Sequence, residues 1–172
     1  DQNKVIEPTR KLKIAVMLSG QPRSVEHCID SITRFFHGHE VQFFCQSWAG
    51  SAREDLLSKF ESYQITEVQA PEFSKFERKA IEQCGRKEFN DGVRVPYLSP
   101  NLFPMWYGVK AACELFTTSN SANDFDLLCR MRYDSFWLGQ LNLDDIKLDD
   151  NRIYVEKNYS GYGGYGDQFA IG

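Results

Sequence analysis

No apolar run in this chain of 172 residues is long enough to cross a bilayer, and the first ten residues, DQNKVIEPTR, lack the apolar centre of a signal peptide. There is no Cys-x-x-Cys pair among the five cysteines, which excludes a zinc-ribbon pattern and gives no even set for a disulfide framework. Cys45 and Cys129 fall in apolar strand candidates and Cys28, Cys84 and Cys113 on apolar helix faces, as buried thiols do in a reducing compartment; a cytoplasmic location is the expectation, with a luminal one as the alternative. Positive charge is not in excess, since 20 Lys and Arg stand against 24 Asp and Glu, so no broad basic field exists for nucleic acid. An anionic ligand would need a local basic pocket. Gly-x-Gly-x-x-Gly and the Walker sequence are both absent, which removes the usual dinucleotide and P-loop readings and with them a kinase or sulfotransferase. No internal repeat is found.

What is present is aromatic and periodic. Thirteen Phe, eight Tyr and three Trp suit a well-packed interior, and the length suits one domain. Residues 1–12 read as a polar lead-in or linker and 13–172 as a single domain. Lys13–Leu18 is a continuous apolar run of the kind that forms a buried strand. From Val25 the apolar positions Cys28, Ile29, Ile32, Phe35 and Phe36 recur at helical spacing, with Ser24 as N-cap and Gly38 as stop. Val41–Cys45 is a second strand, Arg53–Phe60 a short helix, Ile65–Val68 a third strand and Phe73–Cys84 another amphipathic helix. This βαβαβ alternation predicts an α/β fold with a parallel sheet, helices on its faces and right-handed crossovers. Residues 85–103 read as a surface excursion. A helix through Met105, Val109, Ala112, Cys113 and Phe116 follows, with Pro104 in its first turn. Asp126–Asp134, Arg152–Val155 and Gln168–Ile171 are the remaining strand candidates.

Three constellations carry candidate chemistry. The first is LSGQPRS after the first strand, where Ser19, Gly20, Gln21 and Arg23 stand at the carboxyl end of a strand and ahead of a helix, a place where unsatisfied N–H groups and a partial positive charge attract anions. The second is DFDLLCRMRYD, from Asp124 to Asp134. A strand period of two puts Arg130, Arg132 and Asp134 on one face and Met131 and Tyr133 on the other. Such a cluster is either a salt-bridge network or a site for a charged ligand, and the spacing alone leaves both open. Either Arg suits a pyrophosphate, and Asp134 suits a divalent cation bridging it. The third is GYGDQ, where glycines permit close approach, Tyr162 and Tyr165 offer rings and Asp167 a carboxylate. The three histidines lack ligand spacing and read as surface or capping groups, and Asp144, Asp145, Asp149 and Asp150 as a solvated acidic loop.

With SGQPRS after strand one, FPMWYGVKAACELF before the central strand, then DLLCRMRYD and GDQFAIG, the chain resembles a glycosyltransferase-like family of microbes and large viruses. These look like GT-A enzymes, nucleotide-diphosphosugar transferases. The resemblance implies a GT-A or Rossmann-like, mostly parallel sheet flanked by helices, and a sugar moved from a nucleotide-diphosphate donor to a glycan hydroxyl. It further implies that the first-strand loop contacts the nucleotide, that the helix start from Trp106 to Lys110, with Tyr107 and Lys110, lines the donor pocket, and that Arg23, Arg130 and Arg132 neutralise the leaving group. Asp134 would be the metal ligand for Mn²⁺ or Mg²⁺. Arg132 stands where these enzymes carry the first carboxylate of Asp-x-Asp, so the cation's role is open. Asp167 would be the general base. GT-A domains continue beyond the DQFAIG motif, which implies a truncated chain or further domains of a longer polypeptide. The alternative is a non-catalytic α/β module that binds a nucleotide or glycan.

Overall fold

The computed structural model describes residues 10–84, 102–119, 122–143, 153–155 and 169–172. The elements run β1 (Lys13–Ser19), α1 (Val25–Phe35), β2 (Glu40–Trp48), α2 (Glu54–Leu57), β3 (Tyr63–Val68), α3 (Ala70–Cys84), α4 (Leu102–Ser119), β4 (Leu127–Arg132), β5 (Tyr154–Val155) and β6 (Phe169–Ile171). A single turn of 3-10 helix, Pro22–Ser24, leads into α1. The six strands form one sheet in the order β3-β2-β1-β4-β6-β5.

The α/β class is as expected, but the sheet is mixed rather than mostly parallel. Strands β3, β2, β1 and β4 pair in parallel, whereas β6 runs antiparallel to β4 and β5 antiparallel to β6. Parallel neighbours need a long crossover, usually helical. The sequence supplies one between each pair of strands up to β4, whereas the connection between β5 and β6 lies outside the described residues.

Two local expectations change. The helix foreseen over residues 53–60 is confined to Glu54–Leu57, and the chain turns back to bring Phe60 onto Phe43, ring centroids 3.9 Å apart. Ser24 does occupy the position before α1, but its side chain makes no cap; the 3-10 turn already bonds the Val25 N–H to the Pro22 carbonyl.

Alternation divides the sheet into two differently filled faces. On one, Ile14, Val16 and Leu18 of β1, Phe43 and Cys45 of β2, and Leu127, Cys129 and Met131 of β4 meet Val25, Cys28, Ile29, Ile32 and Phe35 of α1. Trp137 and Phe169 extend this cluster around Phe35, with centroids 4.3 and 5.7 Å from it. On the other face Ala15, Met17 and Phe44 meet Ala112 and Phe116 of α4 in a smaller cluster. α1 and α4 thus lie on opposite faces, as the general preference for right-handed crossovers leads one to expect for connections that run opposite ways along the sheet.

The chain leaves β1 toward β2 on one side and later returns to form β4 on the other. The order of strands therefore reverses between β1 and β4. In open α/β sheets the crevice outside the carboxyl ends at such a switch point is where ligands bind.

Candidate functional site

At the carboxyl end of β1 the backbone turns at Gly20 with φ of +120°, in a region that side chains strongly disfavour. Among the described residues nothing lies within 4 Å of where a Cβ would stand. The glycine is thus required by backbone angle and not by crowding. Its N–H donates to Oε1 of Gln46 at 3.4 Å. Gln46 belongs to the end of β2, is 0% exposed, and has no other buried amide or acid beside it in its strand.

The α4 helix closes over this point. A Cβ added to Gly108 would stand 2.6 Å from Gln46 Oε1 and 3.7 Å from Ser19 Cβ, so glycine is what lets the helix approach the two strand ends. Because Gly108 lies over the carboxyl ends while Ala112 and Phe116 lie deeper in the same cluster, α4 runs antiparallel to the strands and its first turns stand above the crevice.

β4 brings the charges. Its pairing with β1 ends at Ser19 opposite Arg132, with Arg130 one step inward opposite Met17. Burial alternates along the strand, leaving Leu127, Cys129 and Met131 buried and Leu128, Arg130 and Arg132 half-buried. The two guanidinium residues therefore share the α4 face with Ser19, as the period of two requires. Arg130 lies close enough to Cys113 of α4 that its charge counters the upward push that burial exerts on that thiol.

Regular strand ends at Arg132, and the next residues form a turn. Arg132 grips Asp134 with both arms of its fork, Nε to Oδ1 at 2.8 Å and Nη2 to Oδ2 at 2.7 Å. The two side chains keep 31% and 40% of their exposure, so solvent reaches the pair. The Asp134 carboxylate also adds, after burial, to the rise in the pKa of Cys28 on α1. Between them, Tyr133 points the other way into the α1-side core, is 1% exposed, and donates its hydroxyl to the Gln46 carbonyl at 2.9 Å. Burial, then the neighbouring Cys45, pushes the Tyr133 phenol far above its ordinary pKa. It is a neutral donor.

Beside the crevice, on its β2 side, a cleft of ≈ 370 Å³ is lined by Gln21, Pro22, Trp48, Ser51 and Arg53. Trp48 forms one wall, held edge-on by Phe73 of α3 at 5.3 Å between centroids. Arg53 is fixed by Asp55 through two contacts of 3.1 Å and lies 3.9 Å from Glu26.

The fold thus brings together Ser19, Gly20 and Gln21 with Arg130, Arg132 and Asp134. Arg23 is in the 3-10 turn, but its side chain lies outside the described ones. Tyr107 and Lys110 face α3: the Tyr107 ring packs on Phe73 and Phe76 at 5.8 and 4.8 Å, while Lys110 caps that ring at 5.6 Å and pairs with Glu114. Asp167, Tyr162 and Tyr165, and the four aspartates from Asp144 to Asp150, lie outside the described residues. Among the described residues no group of three or more His, Cys, Asp or Glu could hold a metal ion. Both oxygens of Asp134 are engaged by Arg132, so a cation there would have to share or displace that fork.

Gln46, Gly108 and Tyr133 are the site residues that sequence reasoning did not single out. A polar residue ending the apolar run VQFFC and a glycine inside the helical pattern of α4 were the available signals. Tyr133 gave none, because on the buried face of a strand a tyrosine is ordinary core.

No known protein family, no curated protein and no solved structure matches this chain. Among the described residues, no helix is long and apolar enough to cross a membrane.

Proposed function

We propose that the crevice at the β1–β4 switch point takes a nucleotide-diphosphosugar and that the chain is a glycosyltransferase acting on a glycan hydroxyl. The observation that carries the reading is the meeting, at that switch point, of a glycine-shaped backbone turn and the Arg132 fork on the adjacent strand end. A diphosphate is the ligand class that uses both a backbone N–H and a planar guanidinium. The cleft lined by Trp48 and Gln21 has the size and the mix of ring and amide that a nucleoside would use.

In this reaction the bond between the sugar anomeric carbon and the diphosphate oxygen breaks, and negative charge gathers on the departing diphosphate. Arg132 and Arg130, already fixed by the sheet, would neutralise that charge without reorganising. Arg132 would exchange part of its fork on Asp134 for a phosphate oxygen. Were a Mn²⁺ or Mg²⁺ ion to take part, Asp134 would hold it in place of part of the Arg132 fork, and the ion would offset further negative charge on the diphosphate. By the family resemblance Asp167 would accept the proton of the attacking hydroxyl.

A second reading, a non-catalytic nucleotide- or glycan-binding module, is favoured by one observation: the charge of Arg132 is already offset by Asp134. Donor hydrolysis separates the two. A transferase domain releases nucleoside diphosphate from its sugar donor slowly even without acceptor, and Arg132→Ala suppresses that release; a module binds with equal dependence on Arg132 and releases nothing. Absence of both binding and hydrolysis across uridine, guanosine and thymidine donors would sink the transferase and the nucleotide-binding module together.

A further inference from the structure

Two hydrogen bonds meet on one residue and join the two halves of the crevice. Gln46 accepts the Gly20 N–H on its side-chain Oε1 and the Tyr133 hydroxyl on its backbone carbonyl. Gly20 belongs to the β1 turn, and Tyr133 separates Arg132 from Asp134 in the chain. β1 lies between β2 and β4, so the Tyr133 side chain reaches past the end of β1 to find its acceptor.

Stability alone gives no reason for this arrangement. Gln46 is 0% exposed, and its Nε2 is buried with no hydrogen-bond partner among the described residues, a state that costs folding free energy. An apolar side chain would serve the core there, as Phe44 does two residues earlier on the same face. Gly108 is also spent on the same amide, since any side chain at that position would collide with Oε1. A buried amide kept at such cost, touching the turn on one side and tied to the arginine segment on the other, has the character of a spacer.

We propose that Gln46 and Tyr133 are positioning residues that act as one brace, holding the β1 turn at Gly20 and the Arg132 fork at the separation at which both engage the same phosphate-bearing group. The inference rests on the reading of the crevice as a diphosphate site. The brace touches no ligand itself. It sets where the two ligand-binding groups stand.

The test is titration calorimetry of inorganic pyrophosphate into the wild-type chain, Tyr133→Phe, Gln46→Met and the double variant, with melting temperature recorded for each. Tyr133→Phe removes one oxygen and keeps the ring; Gln46→Met keeps volume and removes the acceptor. Each should weaken binding roughly tenfold, the effect of one positioned hydrogen bond, and the double variant should be no weaker than either single one, because a brace cut once is already open. Phe36→Leu, in the core at the far end of α1, serves as the control that lowers melting temperature and leaves affinity unchanged. If Gln46→Met does not fold, Gly108→Ala displaces the same amide and takes its place.

Wild-type affinity in both single variants would overturn the brace and leave the diphosphate site standing. A double variant weakened by the product of the single effects would overturn it too, since the residues would then act separately. The same loss of affinity in Phe36→Leu would reduce the effect to general loosening, against the proposal. No binding of pyrophosphate by the wild-type chain would remove the proposed site itself, and the brace with it.

Discussion

The two faces of the sheet are built from alternate residues of the same strands, yet they end differently. On the α1 face apolar packing continues to the carboxyl edge through Leu18, Cys45, Met131 and Tyr133, all buried. On the α4 face it stops at Met17 and Phe44, and the next positions outward are Ser19, Gln46 and Arg132, with Arg130 already beside Met17. A fold needs only the first arrangement. Burying an amide costs stability unless its polar atoms find partners, and Gln46 Nε2 has none among the described residues, so the polar end of the α4 face is the less stable way to finish the sheet.

The sharpest way to break this comparison is to injure the apolar face. Phe43 is 4% exposed and stacked on Phe60; Phe43→Ala should cost about 3–5 kcal/mol of unfolding free energy, a large part of what a domain of this size possesses. Urea unfolding measures it, and a loss below about 1 kcal/mol would mean that the α1 face is not the principal core. At the junction of the faces, Gly108→Ala gains about 1 kcal/mol in helix propensity but overpacks against Gln46 at a cost of about 1–3 kcal/mol. A modest net loss is expected, together with weakened binding of nucleoside diphosphate; a clear gain in melting temperature with unchanged binding would show that the amide moves aside freely.

On the polar face the two effects should separate. Arg132→Ala removes a partly exposed ion pair, so stability should change by no more than about 1 kcal/mol, while diphosphate binding should fall by at least tenfold, as loss of a charge-assisted contact requires. Equal loss of stability and affinity would make Arg132 a structural residue.

The smallest effect lies at the opposite edge of the sheet. Nδ1 of His39 accepts the Leu12 N–H at 3.3 Å, and burial lowers its pKa below the ordinary 6.5. The folded state therefore binds fewer protons than the unfolded one. The stabilisation is complete above pH 6.5 and is lost as pH falls from there through the lowered folded value. Urea midpoints at pH 7.5 and 5.5 should show a drop that His39→Gln reduces, with diphosphate affinity at pH 7.5 unchanged because His39 is at the amino end of the strands. An equal drop in the variant would assign the acid sensitivity elsewhere.

Much of the parallel half was legible because one physical rule governs it. KIAVML and VQFFC are continuous apolar runs, as strands covered on both faces must be, and the helical repeat from Val25 to Phe36 names the residues that now pack on them. The antiparallel part was not, because β5 and β6 are only two and three residues long and carry no period from which direction can be read. The period of two placed Arg130 and Arg132 on one face correctly. Whether Arg132 would close on Asp134 depended on the turn that follows, and single-residue spacing does not encode a turn's shape. Gln46, at the end of the second strand candidate, was given no role for a related reason: its contacts are with Gly20, Gly108 and Tyr133, which are distant in sequence and meet only through the topology.

The polar end of the α4 face is proposed as a diphosphate site. The site is tested most directly by thermal unfolding of the wild-type chain and Arg132→Ala with UDP, GDP, CMP, dTDP and ADP, each with and without Mn²⁺, since a ligand that binds only the folded state raises the transition by an amount set by its concentration over its Kd. The account predicts a rise with one nucleoside diphosphate that Arg132→Ala abolishes. No rise with any nucleotide at saturating concentration, or an equal rise in wild type and Arg132→Ala, would contradict it.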